Sequence, residues 1–257
     1  MGRRIADFID RIEHQLYAEP FVGMGGVFLR RRYAPKAEAI NDINGDVTTL
    51  FRILQRHYPA FMDMLKFQIT SRRDFDRLRA TDPKQLTDLE RAARFLYLQC
   101  LSFAGRVSAP TFGITPGRPG RFDVTKLGPQ LAELSERLAG VIIENQPYGE
   151  FISRFDGPAA LFYLDPPYFG CEADYGDGLY GRDDFSRLAA ILSGIKGRFI
   201  LSINDTPETR VFFGAFDQEF VEVTYTAAEG DPKIARELII STPGLRQTAQ
   251  TQRQLFE

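Results

Sequence analysis

The residues best suited to chemistry stand together at Asp165-Pro166-Pro167-Tyr168, directly after the apolar run Leu161-Phe162-Tyr163-Leu164. A proline brings no N–H to a sheet and has a fixed φ. Two in succession therefore end a strand and hold the flanking carboxylate and phenol on a stiff loop. The Asp165 carboxylate and the Pro166 carbonyl can both accept hydrogen bonds from one planar NH₂ group, while Tyr168 offers a face to the attached ring. That describes a pocket for the exocyclic amine of a nucleobase. A second constellation is Phe21-Val22-Gly23-Met24-Gly25, where residues without Cβ let a ligand approach the backbone. Asp42 follows about twenty residues on, at the end of the next apolar stretch, where an acid can take hydrogen bonds from ribose hydroxyls. The turn lacks a full G-x-G-x-x-G, which favours an adenosine ligand without a pyrophosphate.

These residues need elements to hold them. Leu16-Tyr17-Ala18 reads as a short strand leading through the glycine turn into a helix near Phe28. Ala37 to Asp42 reads as a second strand, followed by a helix to about Leu50–Arg56. From about Met62 to Gly105 the spacing is helical, and Ser108 to Asp123, rich in Gly, Pro and Arg, reads as a loop. Leu131–Leu138 reads as an amphipathic helix and Val141–Ile143 as a buried strand. A short helix near Phe151, the strand before Asp165, a helix over Phe185–Leu192 and a strand over Arg198–Asp205 follow. Two further strands are expected at Glu219–Tyr225 and Glu237–Ser241. Strands alternating with helices imply an α/β fold with a mostly parallel, doubly wound sheet. The chain divides into a cofactor-binding part (1–62), a helical insertion (63–130), a part carrying the tetrapeptide (131–245) and a polar tail (246–257).

Composition narrows the class. Hydrophobic residues are 44% of the 257 and charged residues 26%, and no apolar run approaches the roughly 20 residues needed to span a bilayer. The N-terminal apolar residues Ile5, Ala6, Phe8, Ile9 and Ile12 recur at helical spacing with charges between them, unlike an export signal, so a soluble, cytoplasmic protein is expected. Cys100, Cys171, His14 and His57 are too few and scattered for a zinc site or a disulfide framework. The net charge is only −2, but Lys66 to Lys126 carries twelve Lys and Arg against six Asp and Glu. That segment is +6 and leaves −8 elsewhere, an asymmetry suited to a polyanion on one side of the molecule.

Taken in order, the glycine loop, the acidic strand end, the basic insertion and D-P-P-Y resemble the D12-class N6-adenine-specific DNA methyltransferases over nearly the whole chain, most closely the short prophage-type members. The matching motifs are Glu19-Pro20-Phe21-Val22-Gly23-Met24-Gly25-Gly26, Asn41-Asp42-Ile43-Asn44, Asp165-Pro166-Pro167-Tyr168 and the late strand Ser202-Ile203-Asn204-Asp205. The resemblance implies a Rossmann-like methyltransferase sheet with an inserted target-recognition domain. It implies S-adenosylmethionine as methyl donor and double-stranded DNA as partner, in a monomer or weak dimer. It assigns Glu19, Phe21, Gly23, Gly25, Asp42, Ile43, Tyr148 and Asp165 to the cofactor. Arg3 stands where many members carry the lysine of a G-G-K motif, and either replaces it or marks a start placed late. Pro147-Tyr148 stands where many members have Asp-Phe. Asp165, Pro166, Pro167 and Tyr168 are implied to grip a flipped adenine, with Arg106, Arg118 and Arg121 as DNA contacts. A restriction partner is left open. Amino methyltransferases acting on RNA or on N4 of cytosine can share this loop, and a DNA-binding relic without turnover can share the fold.

Overall fold

The computed structural model describes residues 1–102, 111–113, 120–172, 180–225 and 233–245. The expected tail from 246 lies outside them, as do Arg106 and Arg118.

Seven strands form one sheet. They are β1 (Leu16–Glu19), β2 (Ala37–Asn41), β3 (Ile142–Glu144), β4 (Ala160–Leu164), β5 (Arg198–Asn204), β6 (Asp217–Tyr225) and β7 (Lys233–Ser241), arranged β3-β2-β1-β4-β5-β7-β6. The first five are mutually parallel, and β7 runs antiparallel to both β5 and β6. From β1 the chain winds outward to β2 and β3, then returns to place β4 on the other side of β1. The order therefore reverses between β1 and β4, and the crevice beyond their carboxyl ends is where such Rossmann-like sheets bind ligands.

β4 explains why it can be central. All five of its residues are buried, with Leu161 and Tyr163 facing one apolar cluster and Ala160, Phe162 and Leu164 the other. A strand covered on both faces reads as an unbroken apolar run rather than an alternating one. Helices α1 (Gly2–Ile9), α2 (Gly45–Leu65), α3 (Arg72–Ala80), α4 (Asp88–Leu101) and α5 (Val124–Arg137) pack on the first face. Helices α6 (Tyr148–Phe155), α7 (Arg182–Gly194) and α8 (Pro207–Phe212) contribute to the second.

Several expectations are corrected by the structure. The glycine turn leads not into a helix but into a single 3₁₀ turn at Phe28–Arg30, because the Arg31 backbone turns extended and its side chain dives inward. There it lies 3.4 Å over the Tyr17 ring and 2.8 Å from Glu38. The helix after β2 does not stop near Arg56. It kinks at His57, two residues before Pro59, and continues to Leu65. The helix expected from Leu131 starts at Val124, with the Asp123 side chain accepting from the Thr125 N–H as its cap. The strand at Val141–Ile143 is not fully buried, since β3 forms the sheet edge and leaves Ile142 43% exposed. α8 follows β5 where no helix was expected, started by Thr206 and Pro207.

Candidate active site

The stiff loop after β4 is tied to its neighbours by side chains rather than by ladder bonds. Ser202 on β5 donates to Asp165 Oδ1 at 2.9 Å and lies 2.8 Å from the Tyr163 hydroxyl. Tyr168 donates to Glu237 Oε1 on β7 at 3.0 Å. Asn204, the last residue of β5, accepts from Phe169 N at 2.8 Å and donates to Phe169 O at 2.9 Å, so one side-chain amide clamps the backbone of one residue at both its N–H and its carbonyl. Pro166 and Pro167 are buried, and Asp165 opens outward.

The glycine turn is built as deliberately. Gly23 and Gly25 hold φ of 49° and 74°, values that side chains with a Cβ resist. Gly25 N donates to Val22 O at 2.8 Å and Val22 N to Asn41 O at 2.9 Å. Asp42 locks the outside of the turn, accepting from Gly23 N at 2.9 Å and Asn44 N at 2.8 Å. Burial raises its pKa, and these two N–H donors work against that. Asn41 bonds the Pro20 carbonyl and both the N–H and carbonyl of Gln146, which joins the ends of β1, β2 and β3.

Loop and turn face one cavity of about 430 Å³. Arg3, Glu19, Phe21, Asp165 and Tyr168, five of the residues singled out in the sequence, line it together. Val22, Gly26 and Val27 form the turn's share of its wall, with Arg30 beside them. Gly23 and Gly25 do not line it; their positive φ sets the bends of the turn that does. Asp42, Ile43 and Tyr148 lie beyond this cavity: Asp42 latches the turn, Ile43 is exposed, and the Tyr148 hydroxyl bonds Asp184 at 2.9 Å while its ring sits 5.4 Å from Phe21. Arg121 is on the surface, its guanidinium 3.2 Å from the Ser102 carbonyl.

Two acids in the cavity resist ionisation. Glu19 is pushed up to about 8, first by burial and then by the negative charges of Asp165 and Glu38, although the Tyr17 hydroxyl bonded to it and nearby Arg31 oppose this. Asp165, although it opens into the cavity, is pushed up to about 6, chiefly because the protein packed around it displaces most of its hydration, with the Ser202 hydroxyl holding it down and Glu237 raising it further. Tyr148 is pushed up to about 12 by burial and by the Asp184 carboxylate. Perturbed acids meeting in a cleft mark a functional site.

Ser202, Asn204, Glu237, Asn41 and Arg30 are the site residues that the sequence did not single out individually. Ser202, Asn204 and Asn41 stand within the matched motifs, whereas Glu237 and Arg30 carry no local signal beyond their polarity.

The model of the D12 class N6 adenine-specific DNA methyltransferases matches residues 3–227. The type II methyltransferase M.CviBI of Paramecium bursaria Chlorella virus NC1A is 22% identical over 227 residues, covering 87% of this chain and 85% of that one. The DNA adenine methylase of Escherichia coli K12 is 26% identical over 208 residues, covering 76% and 74% respectively. Among solved structures, an rRNA methylase from Streptococcus thermophilus aligns over 93% of this chain and 95% of its own, with a TM-score of 0.38 and 8% identity.

Proposed function

The chain belongs to the D12 class of N6 adenine-specific DNA methyltransferases, and on that premise we propose that it methylates N6 of an adenine flipped out of duplex DNA, with S-adenosylmethionine as donor. The observation that carries this reading is that the D-P-P-Y loop and the glycine turn face the same cavity. Its donor set fits the cofactor. Arg3 and Arg30 suit an amino acid's carboxylate, Asp165 suits its ammonium as an anion and Glu19 as a hydrogen-bond acceptor, and the glycine turn brings its backbone to the cavity at Gly26. Asp42 is assigned to the ribose hydroxyls through the lone pairs its two backbone bonds leave over, with Ile43 and Tyr148 toward the adenine. Bound there, the cofactor supplies an electrophilic methyl on a sulfonium.

The chain's own groups then have defined tasks. Ionised Asp165 accepts a hydrogen bond from one N–H of the base amine and the Pro166 carbonyl from the other, which turns the nitrogen lone pair out of the base plane; the one proton that the amine sheds on methylation leaves by way of Asp165 to water. Tyr168 stacks on the base, with its hydroxyl held by Glu237 so that the ring does not swing. Pro167 keeps both groups on one rigid segment. The reaction needs little beyond position and a preorganised field, which a fixed loop provides. The segment from 63 to 130 is assigned to target recognition, with Arg106, Arg118 and Arg121 as candidate DNA contacts.

Incubation with methyl-labelled S-adenosylmethionine and mixed-sequence duplex DNA, followed by nucleoside analysis, tests the reading. Label in N6-methyladenine is expected. Label in cytosine, or incorporation into RNA alone, would replace the substrate, and absence of transfer would leave only a DNA-binding role.

A further inference from the structure

The carboxylate of Asp165 is held by hydroxyls ordered in one direction. In the sheet register Leu164 lies beside Leu201, which brings the next residue of each strand, Asp165 and Ser202, side by side. Ser202 is 2% exposed, and its only proton goes to Asp165 Oδ1 at 2.9 Å. A serine hydroxyl has one proton and two lone pairs. The 2.8 Å contact with Tyr163 must therefore run from the phenol to Ser202 Oγ. Burial and the nearby carboxylate keep Tyr163 protonated far above the usual phenol range, so this donor persists at any working pH. Among the described residues, Asp165 Oδ2 receives no hydrogen bond.

We propose that Ser202 and Tyr163 are positioning residues: their directed hydroxyl chain occupies Oδ1 and so turns Oδ2 toward the cavity as the acceptor for the base amine. A carboxylate pivots about its Cβ–Cγ bond, and fixing one oxygen fixes the other. Without the chain, the group could present either oxygen or turn away, and the incoming amine would have to order it. The same donors favour the ionised form in surroundings that oppose it. The opposition comes from desolvation and from the acids Glu237 and Glu19, while the Tyr168 hydroxyl is engaged with Glu237 and the cations Arg3 and Arg30 lining the cavity act on the side of the anion. This rests on the methyltransferase reading for what Oδ2 accepts. The hydroxyl chain itself can be tested without turnover.

The experiment compares wild type with Ser202→Ala, Tyr163→Phe and Ser202→Thr. In single turnover, Ser202→Ala is expected to slow methyl transfer roughly 10- to 100-fold, as for loss of a hydrogen bond to a charged group. The dissociation constant for DNA stays within about twofold, because an interaction made with the reacting geometry shows in the rate and not in binding. The acid limb of the rate profile moves to higher pH. Tyr163→Phe moves it the same way by less, and Ser202→Thr, which keeps the hydroxyl, restores both rate and limb. Titration of ¹³C-labelled aspartate, with the Asp165 signal assigned by its absence in Asp165→Asn, reads the same midpoint without turnover. An acid limb and carboxyl midpoint unmoved in Ser202→Ala and Tyr163→Phe would overturn the proposal, as would a loss confined to binding. A midpoint that rises in a protein whose wild type transfers no methyl would keep the hydroxyl chain and sink the methyltransferase reading instead.

Discussion

Asp165 has to act as an anion in surroundings that raise its pKa to about 6, mainly by stripping water from a carboxylate that opens only into the cavity. Protonation removes the negative charge and turns the oxygen facing the base amine from an acceptor into a donor, so transfer should fall as pH drops through about 6, with about one tenth of the group ionised one unit below that. A single-turnover profile measures this. A rate flat from pH 5 to 8 would remove the carboxylate from the step. Asp165→Ala should abolish transfer and leave the far-ultraviolet circular dichroism spectrum unchanged, since the loop is also held through Tyr168, Phe169 and its prolines. At this scale the sequence displays some residues and hides others. Asp165 and Tyr168 are visible because paired prolines after an apolar run leave few structural roles for a flanking acid and phenol. Ser202 shows only as part of the late-strand motif and Glu237 only as a strand residue, and nothing periodic signals that they meet Asp165 and Tyr168 across 37 and 69 residues.

Among the elements, the glycine turn carries the sharpest constraint. At Gly25 a Cβ would sit 3.1 Å from Leu29 Cγ and would also require φ of +74°. Gly23, at φ +49°, has open space around its missing Cβ and bears the backbone penalty alone. Gly25→Ala is therefore expected to destabilise the chain by about 1–3 kcal/mol and to weaken S-adenosylmethionine binding, with Gly23→Ala milder in stability. Urea unfolding and cofactor titration measure the two effects, and a Gly25→Ala protein equal to wild type in both would show that the turn tolerates side chains. The strands around the site were legible because β1, β2, β4 and β5 announce themselves as apolar runs ending in polar residues. The short turn at Phe28–Arg30 was not. Its helical spacing is overridden by Arg31, whose buried partner Glu38 lies in the next strand. The edge position of β3 was hidden for a related reason: Val141-Ile142-Ile143 reads as core, and only the strand order shows that among the described residues one side has no neighbouring strand.

Across the whole molecule, stability and chemistry meet in a layer of buried charge behind the cavity. Glu38 accepts from Arg31 at 2.8 Å and from Arg137 of α5 at 2.6 and 2.7 Å, tying β2 to the segment after the glycine turn and to a helix about a hundred residues on. Arg31 is fully buried, so Glu38→Ala strands its guanidinium and should cost about 3–5 kcal/mol in denaturant unfolding. A loss under 1 kcal/mol would mean that water reaches the pair. Glu19 stands next to this layer and gives the molecule a pH dependence of definite sign. Its folded pKa of about 8 lies above the unfolded value of 4.5, so the folded chain keeps a proton that the unfolded chain releases between those limits. The stability this contributes is complete below about pH 4.5 and is lost as pH rises through about 8. Glu19→Gln cannot titrate, and its amide oxygen can still accept from Tyr17. The fall in melting temperature from pH 5 to pH 8 should therefore be smaller in Glu19→Gln than in wild type, when both are scanned without cofactor. Parallel curves for the two proteins would place the Glu19 proton elsewhere and return the acid to its ordinary range, charged against the cofactor at every working pH.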